Sequence, residues 1–201
     1  MDHLRTVCEK HAELMQTVSI HTSRTQLQTV VDEMLACKGK VIFTGSGKSA
    51  MLAIVAASTI TYETRLHCQA LDAGMAIHGD MGQIGPDDVV IVLSRSGHSA
   101  EPRQMIETAL RYVNPIVICI TEHSDSPLAK LADHVLETPV THELDPFDVV
   151  VTSSYMAALT VCHAIGEQIR DQQSVGLLEL SSRHPAGAIG EKYATESRKG
   201  N

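Results

Sequence analysis

Tryptophan is absent from this 201-residue chain, and only two Phe and four Tyr are present. So few flat rings leave little for bases to stack on. Basic residues are also scarce, with 16 Lys and Arg against 24 Asp and Glu and a net charge of −8. A phosphate backbone needs a basic face, so nucleic acid is excluded as an expected partner. No apolar run approaches the ~18 residues that cross a bilayer, and no membrane span is expected. The first residues, Met1-Asp2-His3-Leu4-Arg5, lack the apolar stretch of a secretory signal. The five cysteines, Cys8, Cys37, Cys68, Cys119 and Cys162, include no CxxC pair. Scattered thiols of this kind fit a reducing cytoplasm and exclude a disulfide framework.

What is there reads as one globular domain, 43% apolar and 20% charged. Apolar residues at three- and four-residue spacing predict helices over 4–21 and 24–36, a helical preface whose face suits a second subunit. From Lys40 the period changes. Val41-Ile42-Phe43-Thr44, 88–93 and 115–120 are continuous apolar runs, the mark of strands buried on both faces. A weaker strand is expected at 65–68 and a fifth strand at 134–137. Helices are predicted over 48–61, 101–113, 126–132 and 147–170, with a short helical tail over 174–191 and a frayed polar end at 195–201. Strand and helix alternating five times predict a parallel sheet with helices on both faces. Ligands of such sheets bind beyond the carboxyl ends of the strands, where strand order reverses. The loops after Thr44 and Leu93 are therefore the first places to look.

Gly45-Ser46-Gly47-Lys48-Ser49 resembles a nucleotide loop, but G-x-x-x-x-G-K-[ST] would put its first glycine at position 42, which is Ile42 inside the strand. A dinucleotide fingerprint fails too, because Ala50-Met51 stand where the third glycine would fall. The loop still offers helix-start amides, the Ser46 hydroxyl and the Lys48 ammonium to an anion. Ser94-Arg95-Ser96-Gly97-His98-Ser99 places three hydroxyls around one glycine at the start of a helix, more than capping requires. Of the eleven histidines, His67, His78 and His142 could be gathered with Asp80 into a zinc site on paper, but they lack ligand spacing, so no metal is expected.

With Ile77-His78-Gly79-Asp80-Met81-Gly82, Glu143-Leu144-Asp145-Pro146, Thr152-Ser153-Ser154 and Arg183-His184-Pro185-Ala186-Gly187-Ala188-Ile189-Gly190, these two loops resemble the sugar isomerase (SIS) domain family over about 39–190. Within that family the arabinose 5-phosphate isomerases look most similar. The resemblance implies a three-layer α-β-α sandwich around a five-stranded parallel, flavodoxin-like sheet over 39–191. Residues 1–38 would then be N-terminal helices and 192–201 a polar tail. It implies a sugar phosphate held by Gly45, Ser46, His78, Ser94, Ser96, Gly97 and Ser99, with Lys48, Glu101, Glu143 and His184 as the catalytic group and no cofactor. It also implies a homodimer or homotetramer with sites between subunits.

Those residue types suit an aldose–ketose isomerisation, in which one proton moves between C1 and C2 through an enediol. Lys48 suits stabilisation of the enediolate oxygen, Glu143 proton transfer, and His184 ring opening or proton shuttling. The expected substrate is a pentose 5-phosphate such as arabinose or ribulose 5-phosphate. Alternatives are a hexulose or heptose phosphate, or a sensor that binds a sugar phosphate without turnover. Family isomerases usually carry a paired regulatory module after the sugar domain, and this sequence ends at Asn201, so one domain without that half is expected. Asp145, Phe147, Val151 and Ala50 depart from the residues commoner in the family, which leaves the sugar less defined than the reaction.

Overall fold

In the computed structural model, residues 2–140 and 142–188 are described, together with Gly190 and Lys192. Two helices precede the sheet, α1 (His3–His21) and α2 (Arg24–Ala36). Asp2 accepts from the Arg5 amide and Ser23 from the Gln26 amide, so each start is satisfied by its own side chain. The strands are β1 (Val41–Gly45), β2 (Cys68–Asp72), β3 (Val89–Leu93), β4 (Ile116–Thr121) and β5 (His134–Glu137). Between and after them run α3 (Lys48–Glu63), α4 (Ala73–Ala76), α5 (Ala100–Tyr112), α6 (Ser153–Gln172) and α7 (Leu177–Arg183).

All strand pairs are parallel and the order is β2-β1-β3-β4-β5. Order therefore reverses between β1 and β3. Strand side chains alternate between two cores, as the pleat requires. Val41, Phe43, Ile91 and Ile118 face α1, α2, α3 and α6, while Ile42, Val90, Val92 and Val117 face α4 and α5. The result is the expected three-layer α-β-α sandwich, flavodoxin-like in strand order.

Three expected elements shift. β2 begins at Cys68 rather than at 65, because α3 runs on to Glu63 and Arg65 is turned away to bond Gln173 and Glu179. α6 begins at Ser153 rather than at 147. The Asp145 carboxylate accepts the amides of Phe147, Val149 and Val150, and Asp148 adopts φ 58, so 145–151 is a tight loop. Of the helix expected over 126–132, a single 3-10 turn forms at 129–131. The tail expected over 174–191 is helical at α7, and the end at 195–201 lies outside the described residues.

Candidate functional site

The carboxyl ends of β1 and β3 lie side by side at the reversal point, and each opens directly into a turn and a helix. At β1, Gly45 approaches so closely that an added methyl would meet Ser49 and the Leu93 carbonyl at 2.8 and 2.9 Å. Gly47 takes φ 56 at the start of α3, and no side chain caps that helix. Ser46 is half-buried, and Lys48 is exposed and makes no ion pair with any described residue.

At β3, the buried Ser94 hydroxyl accepts the Gly97 amide at 3.1 Å, and the Ser96 hydroxyl accepts the His98 amide at 3.2 Å. Gly97 sits at φ 65 with the Ser126 side chain where a methyl would go, so glycine is required both for conformation and for space. Ser99 stands at the start of α5 without making a side-chain cap. Two helix starts with no side-chain cap therefore flank the crevice. Their free amides and partial positive charge suit an anion. Glu101, in the first turn of α5, is exposed.

Glu143 lies apart from this crevice in character. Its side chain is fully buried. One oxygen takes the Ser154 hydroxyl and stands 3.1 Å from Arg95 Nη1. The other takes the Thr152 amide at 2.8 Å, the Thr152 hydroxyl at 3.0 Å and the Ser154 amide at 3.2 Å. Burial pushes this carboxyl up, but the hydrogen bonds from Ser154 and Thr152 outweigh it and hold it below the ordinary carboxylate value. Such a group is a carboxylate already occupied by its own chain. Glu101, by contrast, is exposed at the start of α5.

Two cavities adjoin these loops. One of about 60 Å³ lies beneath Arg95, lined by Ser49, Ser94 and Ser154, and is too small for a pentose phosphate. The other, about 530 Å³, lies between α1 and the Glu143 loop. Four of its lining residues are carboxylates, Glu13, Glu143, Asp145 and Asp148, against one lysine, Lys10. That balance repels a phosphate dianion, so the crevice at the reversal point is the better place for one.

A model of the SIS domain family matches residues 34–167, two thirds of the chain. This chain belongs to the SIS domain family. Among curated relatives, the arabinose 5-phosphate isomerase KdsD of Escherichia coli K12 is 36% identical over 165 residues, covering 80% of this chain and 48% of its own length. The arabinose 5-phosphate isomerase KpsF of Escherichia coli is 31% identical over 195 residues, covering 95% of this chain and 58% of its own. The chain thus spans about half the length of the curated relatives it matches. A protein of Escherichia coli CFT073 solved in complex with arabinose 5-phosphate superposes with a TM-score of 0.83 at 26% identity, covering 92% of this chain and 100% of that one.

Within this SIS domain the remaining expected site residues scatter. His78 is exposed after α4, beside Gly79 at φ 138, on the carboxyl side of the edge strand β2. His184 lies elsewhere. Arg183 donates to the carbonyls of Tyr62 and Thr64, and the His184 ring packs edge-on to Tyr62 at 6.0 Å. Tyr62 is 14 residues beyond Lys48 on α3, about 21 Å at 1.5 Å per residue. One chain therefore gathers Ser46, Lys48, Ser96, Ser99 and Glu101 at the crevice, but not His184.

Sequence reasoning missed Arg95 and Asp148. Arg95 Nε bonds Glu122 at 2.9 Å, and Nη2 bonds Asp148 at 3.2 Å. Asp148 in turn accepts the Glu143 amide at 2.6 Å. Among the described residues no group of three His, Cys, Asp or Glu is arranged to hold a metal. No helix there is long and apolar enough to cross a membrane.

Proposed function

We propose that this chain isomerises an aldose phosphate and its ketose through an enediol, with a pentose 5-phosphate such as arabinose or ribulose 5-phosphate as substrate. The carrying observation is the pair of helix starts at the reversal point, neither capped by a side chain, with Lys48 beside one and Glu101 on the other. The names of the curated relatives and the arabinose 5-phosphate bound to the structural neighbour support the same substrate class. In this reading the phosphate rests on the α5 start and the hydroxyls of Ser96 and Ser99. A dianion there needs no basic surface, because oriented amides and hydroxyls meet it locally.

The reacting carbons then lie toward the α3 start. Ser46 and Gly45 border them, and His78 approaches from the β2 side. Lys48 offsets the charge that grows on the enediolate oxygen, and Glu101 takes the carbon proton and returns it to the neighbouring carbon. His184 opens the sugar ring from a second subunit. A two-fold related copy is the simplest source of an imidazole that its own chain holds against Tyr62, a residue about 21 Å along α3 from Lys48. The exposed apolar residues Met51, Ile54 and Val55 on α3 give that copy a surface to bury.

The test is direct assay of ribulose 5-phosphate formed from arabinose 5-phosphate, set beside glucose, mannose and sedoheptulose phosphates. The reading expects turnover of the pentose phosphate and its loss in Lys48→Ala. Tight binding of sugar phosphates without turnover of any of them overturns it in favour of a sensor.

A further inference from the structure

Arg95 occupies the second position of the phosphate turn, where a cation would ordinarily be read as a phosphate ligand. Its surroundings argue otherwise. The backbone carbonyl of Arg95 accepts the Thr121 hydroxyl at 3.0 Å and the Glu122 amide at 3.0 Å, so the residue is fixed to the end of β4. Its guanidinium meets three carboxylates: Glu122 at 2.9 Å, Glu143 at 3.1 Å and Asp148 at 3.2 Å. Three acids around one guanidinium leave a local excess of negative charge. Turning the fork toward a phosphate dianion would strand the buried Glu143 carboxylate without its cation, and a stranded buried charge is strongly unfavourable.

The acceptor side is built with equal specificity. Asp148 holds φ 58, a left-handed conformation that Asp tolerates better than most residues. From there its two oxygens reach the Glu143 amide and the Arg95 fork. Thr152 and Ser154 complete the cage at the start of α6. Lysine could not replace the fork, since a point charge cannot serve three carboxylates in fixed directions.

We propose that Arg95 is a positioning residue for the isomerisation, joining the phosphate turn at 94–99 to the Glu143 loop at 143–152 through its guanidinium without binding the phosphate itself. The kinetic part rests on the isomerase reading above. Glu143 then acts as the loop's anchor, and its charge state reports the joint. Charged and titratable groups facing it are Arg95 and Glu122 from the sheet end, His142, Asp145 and Asp148 from its own loop, and Lys10 and Glu13 across the cavity from α1.

The experiment compares Arg95→Met and Arg95→Lys with wild type in three readouts. Turnover of arabinose 5-phosphate is expected to fall about 100-fold in kcat for Arg95→Met, the scale of a small misplacement of reacting groups, with KM and inorganic-phosphate affinity unchanged. Arg95→Lys should recover only part of the loss. Carbon-13 NMR of labelled glutamate, on sugar-free protein, should show Glu143 titrating at higher pH in Arg95→Met. Asp148→Asn, which tolerates the left-handed turn, is the milder variant should Arg95→Met fail to fold; it should lower kcat as well, but with one anion fewer beside it Glu143 should titrate at lower pH. A tenfold loss of inorganic-phosphate affinity with kcat preserved would make Arg95 a phosphate ligand and overturn the proposal. An unmoved Glu143 titration would overturn it as well. Because that titration needs no sugar, it decides the Arg95–Glu143 joint even if wild type turns over no sugar phosphate, an outcome that would remove the isomerase reading alone.

Discussion

Glu143→Gln isolates the charge at the centre of the loop cage while keeping its shape. The amide oxygen can stay with the Thr152 and Ser154 amides, but the NH₂ then faces Arg95 Nη1, donor against donor, where a carboxylate oxygen stood at 3.1 Å. Removing one partner of a buried ion pair costs about 3–5 kcal/mol. Arg95 is partly exposed and keeps Glu122 and Asp148, so the cost falls at or just below the lower end of that range, about 2–3 kcal/mol at pH 7. The pH dependence carries a sign. Hydrogen bonds hold the folded Glu143 carboxyl below its unfolded value despite burial. Its contribution is therefore complete above the unfolded value of about 4.5 and disappears as pH falls through the lower folded value. The gap between wild type and Glu143→Gln should be constant from pH 7 to about 5 and close on further acidification. Urea denaturation followed by far-ultraviolet circular dichroism at stepped pH measures it. A gap below about 0.5 kcal/mol at pH 7, or one that does not narrow with acid, would refute the reasoning.

Gly97→Ala should destabilise by about 2 kcal/mol, from the left-handed φ and the displaced Ser126 side chain, and should abolish phosphate binding measured by calorimetry. Asp88 is buried, and despite that burial its bonds from Lys40 and the Gly85 amide hold its carboxyl low. Asp88→Asn should therefore cost about 2–3 kcal/mol at pH 7, again with a deficit that shrinks as pH falls below about 4, read in the same denaturation series. Lys48→Ala and His184→Ala chains, each inactive alone, should regain about a quarter of wild-type turnover when refolded together as random dimers. No recovery would mean that His184 serves its own chain.

The inner strands were legible because burial on both faces leaves a continuous apolar run, as in Val89-Val90-Ile91-Val92-Leu93. β2 was not, since an edge strand tolerates Gln69 and Asp72 and its half-exposed residues give no such run. The start of α6 was misplaced for a different reason. Val149, Val150 and Val151 continue an apolar pattern, and only the Asp145 carboxylate gathering three amides turns that stretch into a loop. At the site, the serine- and glycine-rich turns announced themselves because their chemistry is local. Arg95 and Asp148 did not, because their meaning lies in contacts between residues about fifty positions apart. The separation of His184 from Lys48 was equally hidden, being set by where Arg183 finds the Tyr62 and Thr64 carbonyls.

Whether this chain moves a proton between C1 and C2 of a sugar phosphate is decided most directly by exchange. Arabinose 5-phosphate incubated with the protein in deuterated water and followed by proton NMR should lose its C2 proton signal as ribulose 5-phosphate appears, and Lys48→Ala should suppress both changes. A C2 signal that persists at saturating protein, with the sugar phosphate bound, would contradict the account.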